Sequence, residues 1–164
     1  MSVQVIAERT GTDASRLESR DLNYRLAADR SAPGRVRDAL EGDLDDIDGG
    51  ARLTVELLAR ALVAMCIRGE GGTVQVQVSV GSEQVRVEVS GEGSGFRLPL
   101  SARSIDYFSF EDGAAPPPGW RTYLIGRLAD DWGVDEDAGV AWVEVDHATD
   151  AARRLQTHVR ALAN

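Results

Sequence analysis

Apolar residues recur along the chain with the spacing of helices in some segments and of strands in others. Apolar side chains about one helical turn apart predict an amphipathic helix over Arg35–Asp46 and a more broadly apolar helix over Ala51–Arg68. The same spacing predicts a helix over Tyr123–Trp132 and a last helix over Ala151–Ala163. Because the Ala51–Arg68 helix is apolar around much of its circumference, we expect it to be buried between a sheet and its neighbours.

Alternation of valines with polar residues predicts a β-hairpin formed by Thr73–Val80 and Glu83–Ser90. Gly81-Ser82 between them is a two-residue turn of a favoured type. A turn at that position places Val78 opposite Val85 and sets the valines of both strands on one face. The hairpin is therefore expected to have one buried face and one face in contact with water.

The predicted elements divide the chain into three regions. Residues 1–20 form a polar arm that is either loose or adds an edge strand, residues 21–147 form one domain, and residues 148–164 form the C-terminal amphipathic helix. Further strands are predicted over Asn23–Asp29 and Gly139–Val145. This order of elements predicts an α+β fold, a two-layer sandwich with helices packed on one face of a mixed, mostly antiparallel sheet.

The segment Gly91–Gly119 shows little periodicity and contains three consecutive prolines, Pro116–Pro118. It is longer than ordinary connections between elements, so we expect it to be functional or mobile. Its aromatic residues are expected to pack on the domain or on a partner; they are Phe96, Tyr107, Phe108 and Phe110.

The composition removes most catalytic and metal-dependent functions. All 18 basic residues are arginine, which excludes a lysine nucleophile and a phosphate-binding loop that needs lysine. One cysteine and two histidines leave few ligands for a transition metal, so no metal site is expected. The single Cys66 allows no internal disulfide and favours a reducing, cytoplasmic location. The net charge of −9 argues against direct nucleic-acid binding, and no apolar run is long enough for a membrane helix.

Three segments resemble motifs of the histidine-kinase-like (GHKL) ATPases, and most closely those of the anti-sigma factors that are serine kinases. Thr54–Leu62 resembles the N-box helix of that family, and Val87–Gly95 resembles its strand and D-x-G-x-G turn. Gly119–Gly133 ends in Leu-Ala-Asp-x-Trp-Gly and resembles the lid motif with the helix after it, while Val140–Val145 fits the last strand. The resemblance covers Leu22–Asp146 and implies the histidine-kinase-like ATPase fold.

The departures from the family pattern fall on positions that the resemblance assigns to the nucleotide and its metal. Arg60 stands where the family asparagine binds magnesium, and a guanidinium has only hydrogen-bond donors. Gly91 replaces the aspartate that accepts a hydrogen bond from adenine, and Arg121 replaces the second glycine of the lid motif. Glu56, the general base of the family, is retained. These changes imply the loss of magnesium-dependent ATP binding.

Two interpretations remain open for the retained residues. Gly93, Gly95 and Gly119 are either turn residues or the remnant of a phosphate-binding loop. Glu56 and Arg60 are four residues apart on a helix, so they are expected either to pair and fill an empty pocket or to keep Glu56 as a base.

The resemblance therefore implies a regulatory protein-binding module, a degenerate anti-sigma-like protein without ATP binding, kinase activity or a cofactor. The implied partner is a sigma factor or an anti-sigma antagonist, and the implied assembly is a homodimer. The alternative is a serine/threonine kinase that acts on an anti-sigma antagonist and binds ATP without a normal magnesium site. In that case Glu56 is the base and Arg60 and Arg121 hold phosphates. A structural subunit of a larger complex is a third possibility.

Overall fold

The computed structural model describes residues 19–99 and 120–147 and the backbone of residues 5–8. In chain order its elements are β1 (Val5–Glu8), β2 (Arg20–Ala27), α1 (Ala32–Asp43), α2 (Gly49–Cys66), β3 (Thr73–Val80), β4 (Gln84–Glu92), α3 (Trp120–Leu128), β5 (Asp131–Asp135) and β6 (Val140–Asp146). The helix predicted over Ala151–Ala163 and the aromatic residues Tyr107, Phe108 and Phe110 lie outside the described residues.

The described strands form one sheet in the order β1-β2-β3-β4-β6-β5. Each pairing between them is antiparallel, so the expected mixed sheet is antiparallel throughout in the part of the chain that the structure describes. The strand β1 lies at one edge, with Val5 opposite Tyr24 of β2. Residues 5–8 therefore form an edge strand, which is one of the two alternatives predicted for the N-terminal arm.

The sheet has one apolar face, which the helices cover, and one polar face. Every second side chain of the central strands is buried in the core that the helices share: Leu22, Tyr24, Leu26, Val74, Val76, Val78, Val80, Val85, Val87, Val89, Ala141, Val143 and Val145. Positions between them, such as Asn23, Gln75 and Gln77, are exposed. This arrangement confirms the α+β class, with two layers and the helices on one side of the sheet.

Helix α2 lies at the centre of the helical layer, between α1 and α3. It begins after Asp48, whose carboxylate accepts a hydrogen bond from the N–H of Gly50 at 3.0 Å and so caps the helix. Leu58 and Cys66 have no exposed surface, which confirms the predicted burial of this helix. Burial raises the pKa of the Cys66 thiol to about 12.

Polar contacts hold the end of α1 over β2. The Tyr24 hydroxyl donates to the carboxylate of Asp43 at 2.8 Å, and burial together with this hydrogen bond raises the pKa of the phenol. Arg20 donates to the main-chain carbonyl of Asp43 at 2.8 Å and forms an ion pair with Asp46. The buried tyrosine is thereby hydrogen-bonded, as an enclosed polar group must be.

The predicted β3–β4 hairpin is confirmed, but its register differs by two residues. Val85 faces Val80 and not Val78. With a turn at Gly81-Ser82, Glu83 would face Val80 on the apolar side of the sheet, whereas in the observed turn Glu83 is exposed. Because side chains alternate with a period of two, the shift keeps the valines on the buried face.

The third helix, Trp120–Leu128, begins and ends earlier in the chain than predicted, and a strand that the pattern missed follows it. The predicted helix extends to Trp132, but α3 ends at Leu128 and Trp132 belongs to β5. The N–H of Asp130 donates to the carbonyl of Glu144 at 2.9 Å, which directs the chain to the edge of the sheet. Trp132 packs on the core from β5, as it would from a helix. The spacing of apolar residues therefore did not distinguish a helix from a strand at this position.

Replacing Leu58 by alanine should lower the free energy of unfolding by about 2–5 kcal/mol, because it leaves a cavity between α2 and the sheet. Leu53 on the same helix is 45% exposed, so Leu53→Ala should change stability by less than about 0.5 kcal/mol. Urea denaturation followed by circular dichroism measures both values. Equal losses in the two variants would contradict the described orientation of α2.

Candidate functional site

Helix α2 places Glu56 and Arg60 one turn apart, but the predicted ion pair between them is not found among the described contacts. Glu56 pairs instead with Arg52, one turn earlier, at 3.5 Å between Oε1 and Nε. Glu56 is only 7% exposed, whereas the Arg60 side chain is exposed. The two residues therefore lie in different environments, and they do not plug a common pocket.

The Glu56 carboxyl is buried at the seam between α1 and α2. Its Oε1 atom has no hydrogen-bond partner among the described residues. Burial is the main cause that raises the pKa of Glu56, and Glu41 of α1 adds to the rise, while Arg52 and Arg37 oppose it. Burial thus makes the charged form of this carboxyl less favourable than it is in water.

A cavity of about 630 Å³ lies between the start of α1, the outer side of α2 and α3. Both Arg60 and Arg121 line it, so the fold brings together the two arginines that the motif resemblance assigns to nucleotide-site positions. Glu56 is not among the described residues that line this cavity. Gly119, the lid glycine before Arg121, lies outside the described residues.

Sequence reasoning missed three charged residues of the cavity, namely Arg30, Arg35 and Asp38. Arg35 donates to the carbonyl of Ala27 at 3.2 Å and to the carboxylate of Asp29 at 3.0 Å, and its buried Nε has no partner among the described residues. The one sequence signal for Arg30 and Arg35 was that these two arginines lie close to the predicted start of the first helix. The structure thus adds two guanidinium groups and one carboxylate to Arg60 and Arg121.

The glycine turn after β4 packs against a second glycine pair and lies outside this cavity. Gly93 has a φ of +94°, and a Cβ atom there would lie 2.5 Å from the Cα atom of Gly72. The N–H of Gly95 donates to the carbonyl of Gly71 at 2.6 Å, so it is not available to a phosphate. This geometry favours the interpretation of Gly93 and Gly95 as turn residues that allow two backbones to approach.

Phe96 occupies the space beside Gly91, the position at which the motif that the sequence resembles has an aspartate. A Cβ atom on Gly91 would lie 2.5 Å from the carbonyl oxygen of Thr73 and 2.6 Å from Cδ2 of Phe96. An isolated β-bridge between Ile67 and Phe96 holds the ring there, and the ring packs on the core, as expected for this aromatic residue. The position of Gly91 therefore has no room for a side chain.

The part of the chain described, residues 19–99 and 120–147, contains no group of three histidine, cysteine or acidic side chains that could hold a metal ion. Asp38 is the one acidic residue among the described residues that line the cavity. In the same ranges, neither the length nor the apolar character of any helix suffices to span a membrane. The described lining of the cavity thus combines four arginines, Asp38 and Ser31 with apolar side chains.

Comparisons with protein-family models and with curated proteins gave no match for this chain.

Gly91→Ala should destabilise the protein by about 1–3 kcal/mol, because the added methyl group collides with a main-chain carbonyl and the Phe96 ring. Gly34 in α1 has no atom within 4 Å of a built Cβ. Gly34→Ala is therefore the matched control, and it should stabilise the helix by up to about 1 kcal/mol. Thermal and urea unfolding measure both changes. A neutral Gly91→Ala variant would show that this position has space for a side chain.

Glu56→Gln should stabilise the protein at neutral pH, and this gain should shrink as the pH becomes acidic. The pKa of Glu56 is raised in the folded state. The stabilising contribution of this carboxyl is therefore fully present below the pKa that it has in the unfolded chain, and it is lost as the pH rises through the pKa that it has in the folded protein. Urea unfolding of both proteins across the acidic range measures the difference. Glu70→Gln, on an exposed residue, should show no such trend, and the same trend in both variants would contradict the assignment.

Proposed function

We propose that this protein is a regulatory protein-binding module, a degenerate relative of the anti-sigma serine kinases that no longer binds magnesium and ATP. Its partner is a sigma factor or an anti-sigma antagonist, and it works in the cytoplasm, without a cofactor and as a homodimer. The motif resemblance supports the family, and the two-layer α+β fold is compatible with it.

The observation that carries the proposal is the contact between Phe96 and Gly91. The adenine-binding aspartate of the family would need space that the Phe96 ring and the Thr73 carbonyl occupy. Without that carboxylate, the amino group of adenine loses its acceptor, and an unmatched buried polar group costs about 1–3 kcal/mol. Because Phe96 and the Thr73 carbonyl fill the space beside Gly91, a single substitution of Gly91 cannot restore the hydrogen-bond acceptor for adenine.

The arginines support the absence of a magnesium site. Arg60 lies at the position of the family's magnesium ligand, and its exposed side chain lines the same cavity as Arg121. Magnesium in proteins is held by oxygen ligands, whereas guanidinium groups offer only donors and a positive charge. A metal ion at this place would be repelled.

The surface near the start of α2 is the best supported place for a protein partner. Leu53 is the one large hydrophobic residue with a strongly exposed side chain in the part of the chain described. Arg37 and Glu41 of α1 are also exposed, and the resemblance implies that partners bind through this first helix. An exposed apolar side chain of this kind is suited to anchor a protein interface.

The second candidate function is the kinase that binds ATP without a normal magnesium site. Its supporting observation is the convergence of Arg60 and Arg121 on one cavity, since arginine is a good ligand for phosphate. It requires Glu56 to act as base, although Glu56 is buried at a seam and pairs with Arg52. Phosphate transfer from labelled ATP to a partner, lost in Glu56→Ala, would favour this candidate over the first.

Excess ATP with magnesium should leave the melting temperature of the protein unchanged, because no residue pattern for the metal or the purine remains. A ligand that binds the folded state at a concentration of 100 times its Kd would stabilise it by about 2.7 kcal/mol, so binding would be visible. An anti-sigma kinase with all its motifs intact is the positive control in the same assay. A clear shift with magnesium and ATP would overturn the proposal.

Leu53→Ala should weaken binding to the partner while leaving the fold intact. The experiment titrates purified sigma factors and anti-sigma antagonists from the same genome into the full chain by calorimetry, with and without magnesium and ATP. The variant should lose about 1 kcal/mol or more of binding free energy, as an interface anchor does. Arg25→Gln, on the polar face of the sheet, is the control and should bind normally. Failure of all these candidates to bind would contradict the proposed partner class.

A further inference from the structure

The outer side of α2 carries two leucines near the start of the helix. Leu53 is 45% exposed, and Leu57, one turn later, is half-buried. Neither side chain belongs to the core that the helices share with the sheet. Because residues four apart lie on one face of a helix, the two leucines form a leucine strip that points away from the sheet. Covering this strip would remove apolar surface from water, which is favourable.

The start of α2 lies at the end of the sheet where β4 begins and β6 ends. Helix α2 packs on β4 and β6, and its 18 residues span about 27 Å, close to the length of β4. Its last turn adjoins the far end of β4, since Ile67 after α2 forms a β-bridge with Phe96 after β4. At the other end, Arg20 of β2 pairs with Asp46 just before α2. The leucine strip therefore lies near the end of β6.

The chain leaves the described fold at this end of the sheet. The N–H of His147 donates to the carbonyl of Glu83 at 2.8 Å and so holds the chain beside the β3–β4 turn. Residues 148–164 follow and lie outside the described residues. The helix that the sequence predicts over Ala151–Ala163 would begin at most about 14 Å from His147 and would be about 20 Å long. These lengths are sufficient for the segment to reach the leucine strip.

The predicted C-terminal helix has an apolar stripe that needs a covering surface. The stripe consists of Leu155, Val159 and Leu162. A helix of this length is marginal in water by itself, and an amphipathic helix is stabilised mainly by burial of its apolar face. Leu53 is the one strongly exposed large hydrophobic residue in the described ranges. Packing of the stripe on the leucine strip would therefore bury apolar surface of both.

The charges of the two surfaces are opposite in sign. The connection between α1 and α2 has no basic residue and three exposed aspartates, Asp45, Asp46 and Asp48. Arg20 offsets one of them through its ion pair with Asp46. The side chains of residues 148–164 include three arginines and one aspartate, which gives them a formal charge of +2. Complementary charge therefore favours an approach of this segment to the start of α2.

We propose that the predicted C-terminal helix docks reversibly on the outer side of α2 in the same chain, with its apolar stripe against Leu53 and Leu57. Docking brings the arginines of the segment close to the aspartates that precede α2. The docked helix covers the surface that the proposed function assigns to a protein partner, so the partner must displace it. This last consequence rests on the proposed function, whereas the docking itself does not.

Nuclear magnetic resonance of the full chain, with labelled methyl groups of leucine and valine, tests the contact directly. We expect nuclear Overhauser effects between the methyl groups of Leu53 and those of the apolar stripe. Leu155→Ser and Val159→Ser should each abolish them and shift the Leu53 signals. Thr157→Ser is the matched control, because residue 157 lies on the opposite side of the predicted helix from Val159. It should leave the Leu53 signals unchanged, and circular dichroism verifies that each variant is folded.

A mixture of labelled and unlabelled copies separates docking within one chain from docking on a second copy. We expect Overhauser effects within the labelled chain and none between labelled and unlabelled copies. Effects between copies would overturn the inference, as would the absence of any effect between Leu53 and the stripe. Leu53 signals that respond equally to Val159→Ser and to Thr157→Ser would overturn it as well.

These outcomes are distinguishable from failure of the proposed function, because the resonance experiment contains no partner. Absence of a binding partner would contradict the proposed function and leave the methyl contacts unchanged. For a partner that binds at Leu53, Val159→Ser should increase the affinity several-fold, since the competing segment no longer occupies the surface. Unchanged affinity in that variant would contradict displacement of the segment by the partner.

Discussion

Contact between the valine face of the sheet and helix α2 is the interaction on which the rest of the molecule depends. The sheet offers buried valines on β4 and β6, such as Val87 and Val143, and α2 lies against these two strands with Leu58 and Leu62 in the same core. Once these residues face the sheet, helical geometry directs Arg60 and Ala64 to the opposite side, where they line the cavity. The position of the arginine is therefore a consequence of core packing and not of any contact that it makes itself.

Elements with a strong local period could be predicted from the sequence, and contacts between elements could not. The burial of α2 and the valine face of the hairpin follow from periodicity alone. The register did not, because a shift of two residues leaves the same side chains inside; what separates the alternatives is whether Glu83 lies against Val80 or in the turn. The β5 strand was missed because Trp132 reaches the core from a helix or from an edge strand alike.

The candidate site was also predictable only in part, because its residues come from different elements. The motif comparison pointed to Arg60 and Arg121, and the fold places both at one cavity. Arg30 comes from the turn before α1 and Asp38 from α1 itself, so only the tertiary structure reveals them at this cavity. Glu56 has an arginine four residues away in either direction, and the sequence offers no reason to choose Arg52. The contact of Phe96 with Gly91 depends on the path of the chain after the turn, which no periodicity encodes.

The single cysteine gives this architecture an internal reporter. Cys66 ends α2, has no exposed surface, and has a thiol pKa of about 12, so little of it is thiolate at neutral pH. A disulfide reagent in solvent reacts with it only after the last turn of the helix has separated from the sheet. The labelling rate of the native protein thus measures the opening equilibrium of the helix end that adjoins the glycine turn. Local fluctuations of the fold become accessible through ordinary thiol chemistry, without any introduced probe.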